Sequence, residues 1–118
     1  MASHRSNRPL AWMLFGIGGF LVAFFFPVHI ALYGIVMPAG LLRWPSYHST
    51  LALVHHPLTR IYLGFMLVFA FWHAGYRIRD TVCDAFAMRH VDILVAAICF
   101  AFATVGTVLT IATLCYLP

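Results

Sequence analysis

Three long apolar runs leave a chain of this size very few ways to fold. Residues 9 to 42, 58 to 76 and 93 to 117 each contain enough apolar sequence to supply the roughly 20 residues that a bilayer-spanning helix needs. The last run, ILVAAICFAFATVGTVLTIATLCYL, has no charge at all. With 64% of its 118 residues apolar and 8% charged, the chain has too little polar surface to coat a soluble globule. The expected fold class is therefore all-α integral membrane. Three transmembrane helices at about 10–37, 58–79 and 93–117 would form a single domain over residues 1–118.

The basic balance does not point to nucleic acid. All seven basic residues are Arg, and they stand at the ends of the apolar runs rather than in a cluster. Arg5, Arg8, Arg77, Arg79 and Arg89 lie with the N-terminus and the second connection, against Arg43 and Arg60 with the first connection. By the positive-inside rule the N-terminus is expected in the cytoplasm and the C-terminus outside. Cys83, Cys99 and Cys115 are spaced sixteen residues apart with no CxxC, so they are expected to act as small apolar fillers. The first apolar run is longer than the apolar core of a secretion signal and lacks a small-residue cleavage site, so it is expected to be retained.

Within the first span, Pro27 offers a place to kink. Gly16, Gly18 and Gly19 offer a surface without side chains, on which another helix can pack closely. His29 is expected to bond to a carbonyl freed by Pro27 or to a neighbouring helix rather than to serve as a ligand. In the first connection Trp44 and Tyr47 look interfacial, and STLALV is apolar enough for a short helix along the membrane surface. His55 and His56 point to different sides of a helix and have no carboxylate nearby in sequence, so metal binding is not expected. The hydroxyls of the third span are expected to bond back to its own backbone.

The chemistry-bearing stretch is the end of the second span, LTRIYLGFMLVFAFWHAGYRIRD. His73, Tyr76, Arg77 and Asp80 fall at i, i+3, i+4 and i+7, which aligns them on one side of a helix, with Trp72 beside them. The plain alternative is an aromatic belt at Trp72 and Tyr76, with Arg77 and Arg79 snorkelling to lipid phosphates. The functional alternative is a partner with an apolar body and a polar head, and a quinone fits. Its oxygens need donors, which Tyr76, His73 and Arg77 would supply, and its quinol form needs a proton route, for which Asp80 or His73 is placed.

The chain resembles the D subunit family of bacterial fumarate reductase over nearly its whole length. The likeness is carried by RPLAWMLFGIGGF at the start of the first helix, by Pro27 to Gly34 with Pro38 and Gly40 after it, and by WHAGYRIRD at the end of the second. That resemblance implies a membrane anchor in the bacterial cytoplasmic (inner) membrane, working in anaerobic respiration. Its partners would be a second small membrane anchor, an iron–sulfur subunit and a flavoprotein subunit. It also implies a shared menaquinol site, with Trp12 and Arg77 matching the tryptophan and arginine that lie near the quinone. The residue before that arginine is often His in the family and is Tyr76 here, which leaves His73 to carry the proton. A haem-bearing small anchor of succinate dehydrogenase shares three spans and would need a deep axial ligand, with His73 as the candidate; haem is not expected. A small multidrug-type transporter is disfavoured because no acidic residue lies inside a span.

Overall fold

The computed structural model describes residues 8–87 and 89–117, apart from the side chains at positions 8, 11 and 89. The polar start of the chain, MASHRSNRP, is expected to fray; its residues 1–7 lie outside this range, and Arg8 and Pro9 are already helical. Among the described residues four α-helices form: α1 (Arg8–Ala31), which continues as a π-helical turn at Leu32–Val36, α2 (Tyr47–His55), α3 (Pro57–Ala85) and α4 (Asp92–Tyr116). The helices α1, with its π turn, α3 and α4 are each long and apolar enough to cross a membrane, so the three-span, all-helical class holds. No strand occurs among the described residues.

Local signals explain where the helices start and stop. Ser46 caps α2 by accepting from the Ser49 amide at 3.2 Å, while the Ser49 hydroxyl donates back to the Ser46 carbonyl at 2.9 Å. The short helix expected from STLALV therefore forms, and it is nucleated by its serines. Pro57 occupies the first turn of α3, where its missing N–H costs nothing, and the His56 ring accepts from the Leu58 amide at 3.3 Å. At the far end α3 runs to Ala85, past the expected end of the span at 79, so Asp80 and Asp84 stand on helix rather than in a loop. It stops at Phe86 and Ala87, and Ala87 takes the left-handed conformation with φ 51°. At 1.5 Å per residue the 29 residues of α3 reach about 44 Å, longer than a hydrocarbon core of about 30 Å.

The helix α3 is the middle of the molecule. Both α1 and α4 pack on it and scarcely touch each other among the described residues. The dimensions, 59 × 32 × 21 Å, fit three helices of about 10 Å diameter standing side by side. Two of the glycines in this layer are points of close approach. A Cβ on Gly18 would lie 2.8 Å from the Phe69 carbonyl oxygen, and one on Gly106 would lie 2.7 Å from the Phe71 ring. Gly16 behaves differently, since nothing lies within 4 Å of its Cβ position. The buried apolar set is small, comprising Met37, Met66, Cys83, Cys99 and Ala103. Large apolar side chains such as Phe20, Phe24, Ile98 and Phe102 are exposed, as suits helices surrounded by lipid or by other membrane subunits.

Several sequence expectations take a more definite form. The α4 threonines do bond back, with Thr104, Thr107 and Thr110 donating to Phe100, Ala103 and Gly106 carbonyls at 2.7 to 2.8 Å. The His29 Nδ1 bonds to the Phe25 carbonyl at 2.7 Å. Pro27 frees the carbonyl four residues before it, that of Ala23, so His29 does not compensate for the proline. Its ring instead stacks on Tyr62 of α3 at 6.0 Å. The change in winding falls at Leu32–Val36, five residues beyond Pro27, where the Met37 amide reaches the Leu32 carbonyl at 3.0 Å.

Candidate functional site

The site is assembled at the end of α3 by antiparallel packing against α1. Gly18 and Gly19 of α1 present bare backbone, and His73 fills that space: a Cβ on Gly19 would lie 2.9 Å from the imidazole Cε1. One turn earlier on α1, Phe15 stacks on the His73 ring with centroids 4.7 Å apart. Its carbonyl oxygen lies 3.0 Å from His73 Nδ1. A carbonyl only accepts, so Nδ1 carries a proton, and in the neutral ring Nε2 is then left as an acceptor. The Nε2 atom has no partner among the described residues, and no unpaired side-chain nitrogen or oxygen there is sealed from the surface. With Nδ1 committed to Phe15, Nε2 is the ring atom of His73 left for another partner.

Tyr76, one turn along α3, fits between the two outer helices. Its ring meets Phe15 of α1 edge-on at 6.2 Å and Phe100 of α4 edge-on at 4.9 Å. Trp72 stacks on the same Phe100 at 6.0 Å, so it is packed between helices rather than standing as a belt residue in lipid. Trp12 touches Phe15 edge-on at 6.3 Å and is otherwise 76% exposed. Three of the four expected site residues, Trp12, His73 and Tyr76, thus converge on Phe15, which sequence reasoning passed over. The available signal was register: an aromatic one turn before a Gly-Gly pair faces whatever fills the glycine gap. Beside them Leu14, Val68, Phe69, Trp72 and Tyr76 line an apolar cleft of about 190 Å³. That is smaller than the roughly 300 Å³ and upward of a complete small-molecule site.

The charged residues divide. Arg77 is exposed and makes no hydrogen bond or ion pair among the described residues. Arg79 does not snorkel outward as the plain alternative requires. Its Nε and Nη2 donate to both oxygens of Asp92 at 2.8 and 2.6 Å, joining α3 to the first residue of α4. The physical reason is geometric: two residues is about 200° of helix, which turns Arg79 away from Arg77 and onto α4. Asp80 pairs with the same guanidinium at 3.4 Å, so its carboxylate belongs to this cluster and not to the His73 face. Cys83 is buried there, with its thiol 3.6 Å from Asp92 Oδ1, and is a weak polar partner rather than an apolar filler.

Comparison with known proteins gives the family. The chain matches the family described as the D subunit of fumarate reductase over residues 2–115. It is 32% identical over 103 residues to the fumarate reductase D subunit of Mycobacterium tuberculosis, covering 87% of this chain and 82% of that protein. The D subunit of Vibrio parahaemolyticus fumarate reductase is 28% identical over 109 residues, covering 91% and 86%. By sequence and by its three apolar helices, this chain belongs to the D subunit family of fumarate reductase, a family of membrane anchors.

Proposed function

We propose that this chain is a non-catalytic anchor of a bacterial quinol:fumarate reductase. It holds the flavoprotein and iron–sulfur subunits on the cytoplasmic face of the inner membrane, together with a second small anchor, and contributes one wall of a menaquinol site. The observation that carries the reading is an apolar cleft lined by Tyr76, with three polar groups on the same stretch of α3 that have no partner among the described residues: the Tyr76 hydroxyl, His73 Nε2 and the Arg77 guanidinium. Such groups at a membrane edge call for a partner with an apolar body and a polar head. Menaquinol, when bound, supplies two electrons and two protons, and the electrons leave through the iron–sulfur subunit towards the flavin that reduces fumarate. In this chain, Trp12, Leu14 and Trp72 flank the ring, the Tyr76 hydroxyl and Arg77 donate to a quinone oxygen, and His73 Nε2 accepts a hydroxyl proton. The Phe15 carbonyl keeps that nitrogen free to do so. Membership of the fumarate reductase family favours this reading over the haem-bearing succinate dehydrogenase anchor.

The test is Arg77→Leu, which keeps helix length and removes the fork of donors. The complex should assemble and reduce fumarate from an artificial soluble donor as before, while quinol-driven turnover falls at least about tenfold, as for other donors to developing charge. Equal quinol turnover in variant and parent would make Arg77 a lipid-facing belt residue and move the site onto the other subunits.

A further inference from the structure

The two ends of this chain differ in how their positive charge is balanced. The three carboxylates, Asp80, Asp84 and Asp92, all lie at the end that carries Arg77, Arg79 and Arg89. At the opposite end, residues 37 to 61 contain Arg43, Arg60, His48, His55 and His56 and no Asp or Glu. From Arg60 to Asp80 is about 30 Å along α3, several Debye lengths at physiological salt. The charge on Arg60 therefore has to be balanced from outside the chain. Its position is nevertheless fixed. The Nε donates to the Val54 carbonyl at 3.2 Å and Nη2 to His55 Nδ1 at 3.1 Å. Both acceptors are neutral, so they hold the guanidinium at the corner between α2 and α3 without neutralising it. Arg43 is exposed and has no ion pair among the described residues. Around these cations Leu41, Leu42, Trp44, Tyr47 and Leu53 are exposed, the mixture of apolar and aromatic side chains that lies at the boundary of acyl chains and headgroups.

We propose that this end is a docking surface for anionic phospholipid, with headgroup phosphates at Arg43 and Arg60 and the aromatic and leucine side chains of the α2 region seated among the acyl chains. Charge selects the lipid. A zwitterionic headgroup brings an ammonium that finds no carboxylate here and is repelled by both arginines, whereas an anionic headgroup brings only the charge that is missing. The proposal is independent of the quinol reading, because the surface lies at the other end of α3.

Each arginine near an anionic surface is worth about a fivefold preference, so two together predict about 25-fold. The chain, extracted in mild detergent with the subunits that co-purify, is equilibrated in mixed micelles holding equal phosphatidylglycerol and phosphatidylcholine. Retained lipid is then counted by native mass spectrometry. The parent should retain phosphatidylglycerol over phosphatidylcholine by roughly that factor. The double variant Arg43→Gln/Arg60→Gln should approach parity, and Arg60→Lys, which keeps the charge without the fork, should keep most of the preference. Four results would overturn the proposal: equal retention by the parent, loss of the preference in Arg77→Gln instead, an Arg60→Lys effect as large as that of Arg60→Gln, or loss of a co-purifying subunit from the double variant with its lipid unchanged. The last would make an acidic protein surface the occupant.

Discussion

Replacing Gly18 with Ala tests whether α1 and α3 meet at bare backbone. The added Cβ would sit 2.8 Å from the Phe69 carbonyl oxygen and 2.9 Å from His73 Cβ. Ordinary contact begins near 3.4 Å, so relief requires about 0.6 Å of separation, and neither neighbour can move alone. The oxygen belongs to the α3 backbone and the Cβ to its helix, so the two helices must part. Overpacking of this kind costs about 1–3 kcal/mol. The same shift would stretch the bond between His73 Nδ1 and the Phe15 carbonyl from 3.0 Å to about 3.6 Å, beyond hydrogen-bonding range, for about 1 kcal/mol more. Gly18→Ala should thus destabilise the protein by about 2–4 kcal/mol. Gly16→Ala, with nothing within 4 Å, should stay within about 0.5 kcal/mol of the parent. Gly19→Ala should lie between them, because its close neighbour is the outer edge of the His73 ring, which can rotate. The assay is the rate of thermal inactivation in native membranes, followed separately with quinol and with an artificial soluble donor. Gly18→Ala should speed inactivation by both readouts. Gly19→Ala should impair quinol turnover out of proportion to its loss of stability. If Gly18→Ala and Gly16→Ala inactivate alike, the close approach of α1 to α3 is wrong and the site built on it falls.

Other perturbations follow from the remaining contacts. Asp92→Asn keeps a hydrogen bond to Arg79 and removes the charge from a pair whose side chains are 29% and 38% exposed; it should lower thermal stability by roughly 1 kcal/mol after solvent screening, and no loss would make the pair incidental. Ala87→Gly removes the cost of a left-handed alanine with φ 51° and should raise thermal stability by about 0.5–1 kcal/mol, unless the turn is remade in the assembled protein. For orientation, His48→Cys in a chain freed of its native cysteines should react with an impermeant thiol reagent from outside and His90→Cys should not; the opposite labelling would invert both the topology and the face proposed for the soluble subunits.

The helices were legible from local composition, apolar length for the spans and the run STLALV for α2, while the Ser46 cap of α2 and the His56 cap of α3 emerge only in the structure. The candidate site was legible only as far as one helix extends. The spacing of His73 and Tyr76 placed them on a common side, and both do face Phe15. Nothing on α3 could reveal that Phe15 would engage the His73 N–H with a backbone carbonyl, because that bond joins residues 58 positions apart. It fixes the N–H on Nδ1, a detail of the ring that periodicity cannot register.

Arg77 and Arg79 show the same limit in charge rather than geometry. In sequence they are two arginines at the polar end of an apolar span, and the belt reading treats them alike. The difference is set by what stands opposite each. With α3 in the middle of a single layer, one side of its tip faces the start of α4, where Asp92 is the first helical residue, and Arg79 is aimed there. Arg77, about 200° round the helix, finds no acid among the described residues. A cation left unpaired at the end of a span, beside a free imidazole nitrogen and a phenol, is costly unless water, lipid or a ligand completes it. Arg79 and Asp92 have each other and hold the layer together, so the residue whose loss should alter turnover without altering assembly is the one that the fold itself leaves unsatisfied.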